Sequence, residues 1–400
     1  MIEITKKTMC CGCTACASIC PQNCIEMVED EEGFLYPKVD KERCTSCGLC
    51  NRVCPVENPA QPKPGERSSV VMRADNRDVV MDSTSGGLLT PLAEWMFENK
   101  GVLCAATFDD DFHVKHMLYD SMTKKQYERV RGSKYVQSDL RGLFSQIRSL
   151  LNEGRFVCFI GTTCQVSGLR TYLMKDYDNL LLVDLVCHGV PSPKLWEKYL
   201  QYQTKAYGSP LKKVNFRNKT YGYHSGTMKL EFENGKEYYG SARVDFMLKS
   251  FFKEISSRPI CYTCPFKTLE RCSDLTIYDC WHVNELVPSI KDDDRGYTNI
   301  IIQTQKGKEV LAALKGRIIC ESCDTEQAVA LDGIMVRNCA KPHPKRAQFY
   351  QNFDETPLEQ QIQRFIPISR KDHIIEGTKG FFHKTGLIGC MRTIKKKLKK

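Results

Sequence analysis

Cys10-Cys11-Gly12-Cys13-Thr14-Ala15-Cys16-Ala17-Ser18-Ile19-Cys20-Pro21 lies near the start of the chain, and Cys44-Thr45-Ser46-Cys47-Gly48-Leu49-Cys50-Asn51-Arg52-Val53-Cys54-Pro55 repeats its spacing. Each run reads C-x2-C-x2-C-x3-C-P. In this pattern three thiolates of a run surround one 4Fe-4S cluster, and the fourth, turned away by the proline, crosses to the other cluster. The spacing therefore predicts Cys10, Cys13, Cys16 and Cys54 around one cluster and Cys44, Cys47, Cys50 and Cys20 around a second. Cys11 and Cys24 fall outside the pattern and read as packing residues.

The doubled run is that of bacterial-type two-cluster ferredoxins, and it sets residues 1–58 apart as a small domain. Two other cysteine chemistries compete with it. A disulfide scaffold belongs to exported chains, yet Met1 is followed by Ile-Glu-Ile-Thr-Lys-Lys and no apolar leader. Zinc modules show paired C-x2-C units rather than matched triplets with a trailing Cys-Pro. Iron-sulfur ligation fits better than either. Twenty-two cysteines in 400 residues, with no long apolar run, then point to a cytoplasmic, reducing setting.

The net charge of +10 is concentrated at one end. Residues 341–400 hold 14 Lys or Arg against 5 Asp or Glu, so the preceding part is nearly neutral. No basic stripe runs through the body, which argues against nucleic acid. The tail ends Lys395-Lys396-Lys397-Leu398-Lys399-Lys400, a composition that reads first as a solvated helix end and also suits an anionic membrane surface or an acidic partner.

Residues 59–67 contain Pro59, Pro62 and Pro64 and read as an extended linker. The main domain, residues 68–340, alternates strand-like and helix-like segments. Gly101 to Phe108, Arg155 to Gly161 and Leu180 to Cys187 read as buried strands. Leu88 to Asn99, Asp139 to Asn152 and Ser192 to Gln203 read as helices, and Asn234-Gly235 as a hairpin turn. The expected fold is a mixed α/β (α+β) main domain behind the ferredoxin-like one.

Small residues stand where strands or loops open helices at Thr84-Ser85-Gly86-Gly87 and Gly161-Thr162-Thr163-Cys164-Gln165, a geometry that seats phosphate. No Walker A or G-x-G-x-x-G pattern accompanies them. In the local sequence, Cys261, Cys264, Cys272 and Cys280 form a C-x2-C-x7-C-x7-C run that suits a further 4Fe-4S cluster or a structural zinc. Cys164 and Cys187 follow strand-like runs, where open sheets gather ligands.

Taken in order, Ser83 to Gly87, Gly132-Ser133-Lys134-Tyr135-Val136, Gly161 to Gln165, Asp184 to Ser192, Cys261 to Lys267, Ser273 to His282 and Gly296 to Ile300 resemble the beta-subunit family of coenzyme F420 hydrogenases and dehydrogenases over residues 68–330. That resemblance implies FAD at Ser85, Gly86, Gly87, Lys134, Tyr135, Gly161, Thr162 and Thr163. It implies a third 4Fe-4S cluster at Cys164, Cys187, Cys261 and Cys264. It also implies hydride exchange with a deazaflavin or another soluble carrier, beside a redox partner protein. A carrier subunit with no organic substrate of its own is the alternative. The family loop usually reads Gly-Thr-Pro-Cys-Gln, and Thr163 replaces that proline here. No residue is assigned a catalytic role; His188 and His282 are the candidate proton partners.

Overall fold

The computed structural model describes residues 1–62 and 65–385, so Lys63 and Pro64 of the linker and the terminal lysine run lie outside the described residues. The chain forms two compact units, Met1–Lys194 with Ser257–Lys341, and Leu195–Ser256 with the chain from Pro342 onward.

The first unit begins with a two-stranded hairpin, β1 (Ile25–Glu29) and β2 (Leu35–Val39), between the two cysteine runs. Its main element is an eight-stranded sheet. Its strands are β3 (Ser68–Ala74), β4 (Val102–Phe108), β5 (Val114–Tyr119), β6 (Val157–Thr162) and β7 (Leu180–Leu185). In the second unit follow β8 (Leu211–Asn218), β9 (Thr227–Phe232) and β10 (Glu237–Ser241), and the first unit resumes with β11 (Leu275–Cys280), β12 (Tyr297–Ile302) and β13 (Ile318–Cys323). The large sheet runs β13-β3-β12-β11-β7-β6-β4-β5. β4, β6, β7 and β11 are mutually parallel, while β5, β12 and β13 pair antiparallel to their neighbours.

Parallel strands covered on both faces read as continuous apolar runs, and β6 and β7 do so. Their side chains alternate between two cores, as a two-residue period requires. Phe159 and Leu182 face Phe144, Ile147, Val166 and Leu169, on the side of the helices Leu143–Asn152 and Thr163–Leu173. Cys158, Leu181 and Val183 face Leu92, Met96 and Val310, on the side of the helices Leu89–Glu98 and Gln305–Ala313. Each such side chain fully buried contributes roughly 1.5–3 kcal/mol. Cys11, Cys13, Ala15 and Val53 of the cysteine runs share the Phe159 core, so the N-terminal segment packs into the same unit as the sheet.

The sequence predicts a helix from Asp139, but it begins at Leu143. Gly142 takes φ +72, and the Asp139 carboxylate accepts from the Arg141 amide at 2.8 Å, so a turn occupies those residues. The second unit holds the antiparallel sheet β8-β9-β10, with Gly235 at φ +79 in the β9–β10 turn. Asp245 caps the helix Phe246–Phe252 there, accepting from the Leu248 amide at 2.8 Å. Among the described residues no helix is long and apolar enough to cross a membrane.

Candidate functional site

Cys20, Cys44, Cys47 and Cys50 line one pocket together with Cys24. The Cys20 and Cys24 sulfurs are 3.4 Å apart, and the Ile2 amide donates to the Cys50 sulfur at 3.2 Å. Ser46 at φ +55 and Gly48 at φ +75 curl the second run around this space. The crossing residue of the first run thus stands among thiols of the second. The converse holds for Cys54, since Cys16 is pushed up by burial and then by the neighbouring Cys10 and Cys54. Cys13 in turn neighbours Cys16 and Cys10.

A second thiol group lies at the C-terminal edge of the parallel strands. β6 passes into the helix Thr163–Leu173 without a loop, which puts Cys164 in the first turn. Cys187 follows β7 by two residues. The 3-10 turn Pro259–Thr263 carries Cys261, and Cys264 caps its end. All four cysteines line one cavity of about 510 Å³, counted with its open mouth, shared with Cys11, Arg258, Lys267 and Arg271.

Burial pushes Cys187 up to about 11 against the pull of Lys267, and Cys264 up to about 12. Cys261 is raised well above the usual thiol value by burial, and Cys164 by its hydrogen bond with Cys11. Thiols in this state are inert until a cation takes their protons' place, and metal coordination deprotonates a thiol outright. A convergent four-thiol set with these properties suits a 4Fe-4S cluster.

Cys272 and Cys280 do not line this cavity. Cys272 is packed in the Phe159 core beside Ser167, and Cys280 lies by Asp332 and Cys323. The local run is thereby divided, with only its first pair at the cavity.

Behind the pocket stands a buried charge pair. Arg271 Nη1 donates to Asp184 Oδ2 at 2.5 Å and to the Thr163 hydroxyl at 2.6 Å. Thr163 itself donates to Asp184 Oδ2 at 2.6 Å, and Ser273 and Thr276 each donate to Oδ1 at 2.6 Å. Asp184 thus ties β7, β11 and the first turn of the Cys164 helix into one clamp. The hydroxyl of Thr163 belongs to that clamp, a contact proline would not make.

The residues expected to bind flavin fall into two groups along the same sheet edge. In the first, Thr84 accepts from the Ser133 amide at 2.7 Å, joining the Ser85-Gly86-Gly87 loop to the Lys134-Tyr135 segment. Gly86 is required by packing: a Cβ there would lie 2.4 Å from the Met72 carbonyl oxygen. Its amide donates to Thr298 Oγ1 at 2.9 Å, and Ser85 shares a 2.7 Å hydrogen bond with the same hydroxyl. Lys134 donates to the carbonyls of Val130 and Gly132 at 3.0 and 3.3 Å, and its amine lies 5.2 Å from the centre of the Phe108 ring. Burial with no acid beside it pulls Lys134 down to about 7. An amine so placed is suited to an anionic group. In the second group, Gly161 and Thr162 end β6 and Thr163 opens the helix; Thr162 and Thr163 line the four-cysteine cavity, and the Thr162 amide donates to Gln165 Oε1 at 2.9 Å.

His188 lines the cavity. His282 Nδ1 is 2.6 Å from the buried Asp332 carboxylate, which also accepts the amides of Trp281 and His282. Sequence reading missed Arg258, which carries no periodic signal, and set Cys11 aside as packing. Lys267 lay inside the Cys261 to Lys267 stretch without being singled out.

Residues 154–327 match the family described as the C terminus of the beta subunit of coenzyme F420 hydrogenase/dehydrogenase, and residues 9–58 match the 4Fe-4S dicluster domain. The coenzyme F420-dependent sulfite reductase of Methanocaldococcus jannaschii is 23% identical over 86% of this chain and 52% of its own length. A subunit of the F420H2 dehydrogenase of Methanosarcina mazei is 23% identical over 58% of this chain and 64% of itself. The matches thus span between half and two thirds of these two relatives. An uncharacterized protein of M. jannaschii is 21% identical over 76% of this chain and 86% of its own. A chain of the F420-reducing NiFe hydrogenase complex from Methanosarcina barkeri, 18% identical, covers 77% of this chain and 94% of itself with a TM-score of 0.45. This chain therefore carries a 4Fe-4S dicluster domain at residues 9–58 and belongs, over residues 154–327, to the C-terminal family of the beta subunits of coenzyme F420 hydrogenases and dehydrogenases.

Proposed function

We propose that this chain is an iron-sulfur flavoprotein subunit of an oxidoreductase, passing electrons between three 4Fe-4S clusters and FAD, with hydride exchange with coenzyme F420 or another soluble carrier. The observation that carries this reading is the meeting of Cys164, Cys187, Cys261 and Cys264, distant in sequence, in one cavity that Cys11 of the dicluster segment also lines. Clusters supply single-electron steps and FAD accepts one or two electrons, so together they join one-electron traffic to hydride chemistry.

The residues we assign to the three clusters are Cys10, Cys13, Cys16 and Cys54; Cys44, Cys47, Cys50 and Cys20; and Cys164, Cys187, Cys261 and Cys264. Exposed Cys47 marks the second set as the side a redox partner approaches. Cys11 draws the first set against the cavity. For FAD, Lys134 is the cation we assign to the pyrophosphate, with the loop at Ser85, Gly86 and Gly87 holding its segment in place and Tyr135 beside it. Gly161, Thr162 and Thr163 keep the strand end narrow next to the cysteines. A cytoplasmic setting follows from so many thiols serving as ligands. The relative named as a dehydrogenase subunit supports a protein partner.

Anaerobic purification followed by iron, sulfide and flavin analysis tests this reading, with a screen of reduced F420, NADH, NADPH and reduced ferredoxin as donors. We expect about twelve irons and one FAD per chain, with the flavin bleached by one of the hydride donors. Full iron without flavin would replace this reading with that of a carrier subunit lacking its own organic substrate.

A further inference from the structure

Arg258 is fully buried, yet no carboxylate pairs with it among the described residues. Its Nε donates to the Cys10 carbonyl at 2.7 Å, Nη1 to Gln137 Oε1 at 2.9 Å and Nη2 to the Leu35 carbonyl at 2.9 Å. The guanidinium also lies 4.2 Å from the centre of the Tyr36 ring and 5.4 Å from that of Phe34. Carbonyl dipoles and ring faces orient a cation without cancelling its charge. Guanidinium does not shed its proton in proteins, so the charge stays where it is buried. Such a charge is costly unless an anion stands nearby.

The ionisable groups around it are thiols and one phenol: Cys10, Tyr36, Cys11 and Cys261. Cys10 belongs to the first N-terminal set and Cys261 to the body set. The two sets meet at this point, because Cys11, next to Cys10, lines the same cavity as Cys164, Cys261 and Arg258, and the Cys261 amide donates to the Arg258 carbonyl at 2.9 Å. The contact is built closely. Gln137 Nε2 donates to the Cys11 carbonyl at 3.0 Å, and a Cβ on Gly12 would lie 2.6 Å from Gln137 Nε2 and 2.8 Å from Arg258 Nη1. Gly12, at φ +71, is what lets the cysteine loop close on the guanidinium.

We propose that Arg258 is the shared counter-charge of two adjoining clusters, the one at Cys10, Cys13, Cys16 and Cys54 and the one at Cys164, Cys187, Cys261 and Cys264, and that it raises the reduction potential of both. The inference rests on the body cluster proposed above. Each one-electron reduction adds one negative charge to a site without a proton, and a fixed cation beside both sites stabilises the reduced form of each. Lys267 provides the contrast. Its amine contacts the Cys187 and Met335 carbonyls and neighbours Cys187 and Cys264, all on the body side.

The test is an EPR-monitored redox titration of the full chain, purified anaerobically, as wild type, Arg258→Met, Arg258→Lys and Lys267→Met, each with its iron content. Arg258→Met is expected to lower the potentials of both adjoining clusters by at least tenfold in the reduction equilibrium, about 59 mV for one electron. The cluster at Cys44, Cys47, Cys50 and Cys20 is expected to stay unchanged. Arg258→Lys should retain most of the wild-type potentials, and Lys267→Met should lower the body cluster alone. If Arg258→Met loses iron, Arg258→Gln drops the charge while keeping a donor, and is read by the same criterion. Full iron with unshifted potentials in the neutral variant, a shift confined to one cluster, or equal shifts in the Lys and neutral variants would each overturn the role of Arg258 while leaving the body cluster standing. About eight irons in the wild type would instead remove the body cluster, and this inference with it.

Discussion

Asp184→Asn removes one charge from the clamp behind the cysteine cavity while keeping the side chain's shape. The wild-type carboxylate is fully buried and accepts four hydrogen bonds: from Arg271 at 2.5 Å and from Thr163, Ser273 and Thr276 at 2.6 Å each. Asparagine turns one of its two oxygens into a donor that faces donors. Arg271 is then buried without a countercharge, and breaking such a pair costs about 3–5 kcal/mol. The hydrogen bonds lost with it are worth about 1.5–3 kcal/mol each, but they belong to one network and do not add to that figure. We therefore expect the first unit to lose about 3–5 kcal/mol. Anaerobic urea denaturation, followed by far-ultraviolet circular dichroism and by cluster absorbance, measures the loss. Because Thr163 directly precedes Cys164, cluster bleaching should shift to lower urea together with unfolding. Arg271→Met should cost a similar amount alone. The double variant should cost far less than the sum, since replacing both members of a buried pair is often nearly neutral. Single variants costing less than about 1 kcal/mol, or costs that simply add, would refute the clamp.

Cys187→Ser should lower iron from about twelve to about eight atoms per chain, while Cys272→Ser should leave it unchanged; the reverse pattern would hand the cluster to the local cysteine run. Lys134→Met should reduce FAD content several-fold with all iron retained, and unchanged flavin would remove Lys134 from the pyrophosphate. His116 is buried, with Nε2 on the Ile160 carbonyl at 2.9 Å and Nδ1 without a partner among the described residues, and burial pulls its pKa to about 4 from 6.5. The unfolded chain then binds more protons between those values, so this stability is complete above pH 6.5 and is lost as pH falls towards 4, by about 3 kcal/mol. His116→Leu should flatten that part of the urea-midpoint profile against pH, and an unchanged slope would refute the assignment.

What the sequence made legible follows from how local each constraint is. β6 and β7 were readable because a parallel strand covered on both faces must be apolar at nearly every position. The dicluster domain at residues 9–58 was readable because three of the four cysteines expected around each cluster lie in one tight loop. The proposed body set was not readable from spacing, since its cysteines stand after β6, after β7 and in the turn before β11; resemblance, with the place of Cys164 and Cys187 at strand ends, selected them over the local run. Gly86 was read as a phosphate seat, but the Met72 carbonyl 2.4 Å from any Cβ there gives it a packing reason as well. Arg258 left no trace in the sequence, because a buried arginine is spelled like an exposed one and its partners come from three distant segments.

Charge balance gives a physical reason for reading the cavity in its loaded state. Burial, and for Cys164 first the neighbouring Cys11, raises the four thiols, so as free thiols they are neutral sulfur beside Arg258 and Lys267, neither of which has a carboxylate among its partners in the described residues. Arg271 is already neutralised by Asp184. Two uncompensated cations against neutral thiols would strain the fold at its sheet edge. Four thiolates around the proposed iron-sulfur core would reverse this, because the set would carry net negative charge and the same two cations would become its counterions. Loading of the proposed set would release the thiol protons, so its occupancy would depend on pH and cluster binding would add to the stability of the first unit. On the proposed ligand set, the cations that disfavour four neutral thiols are those that would favour a cluster on the same sulfurs.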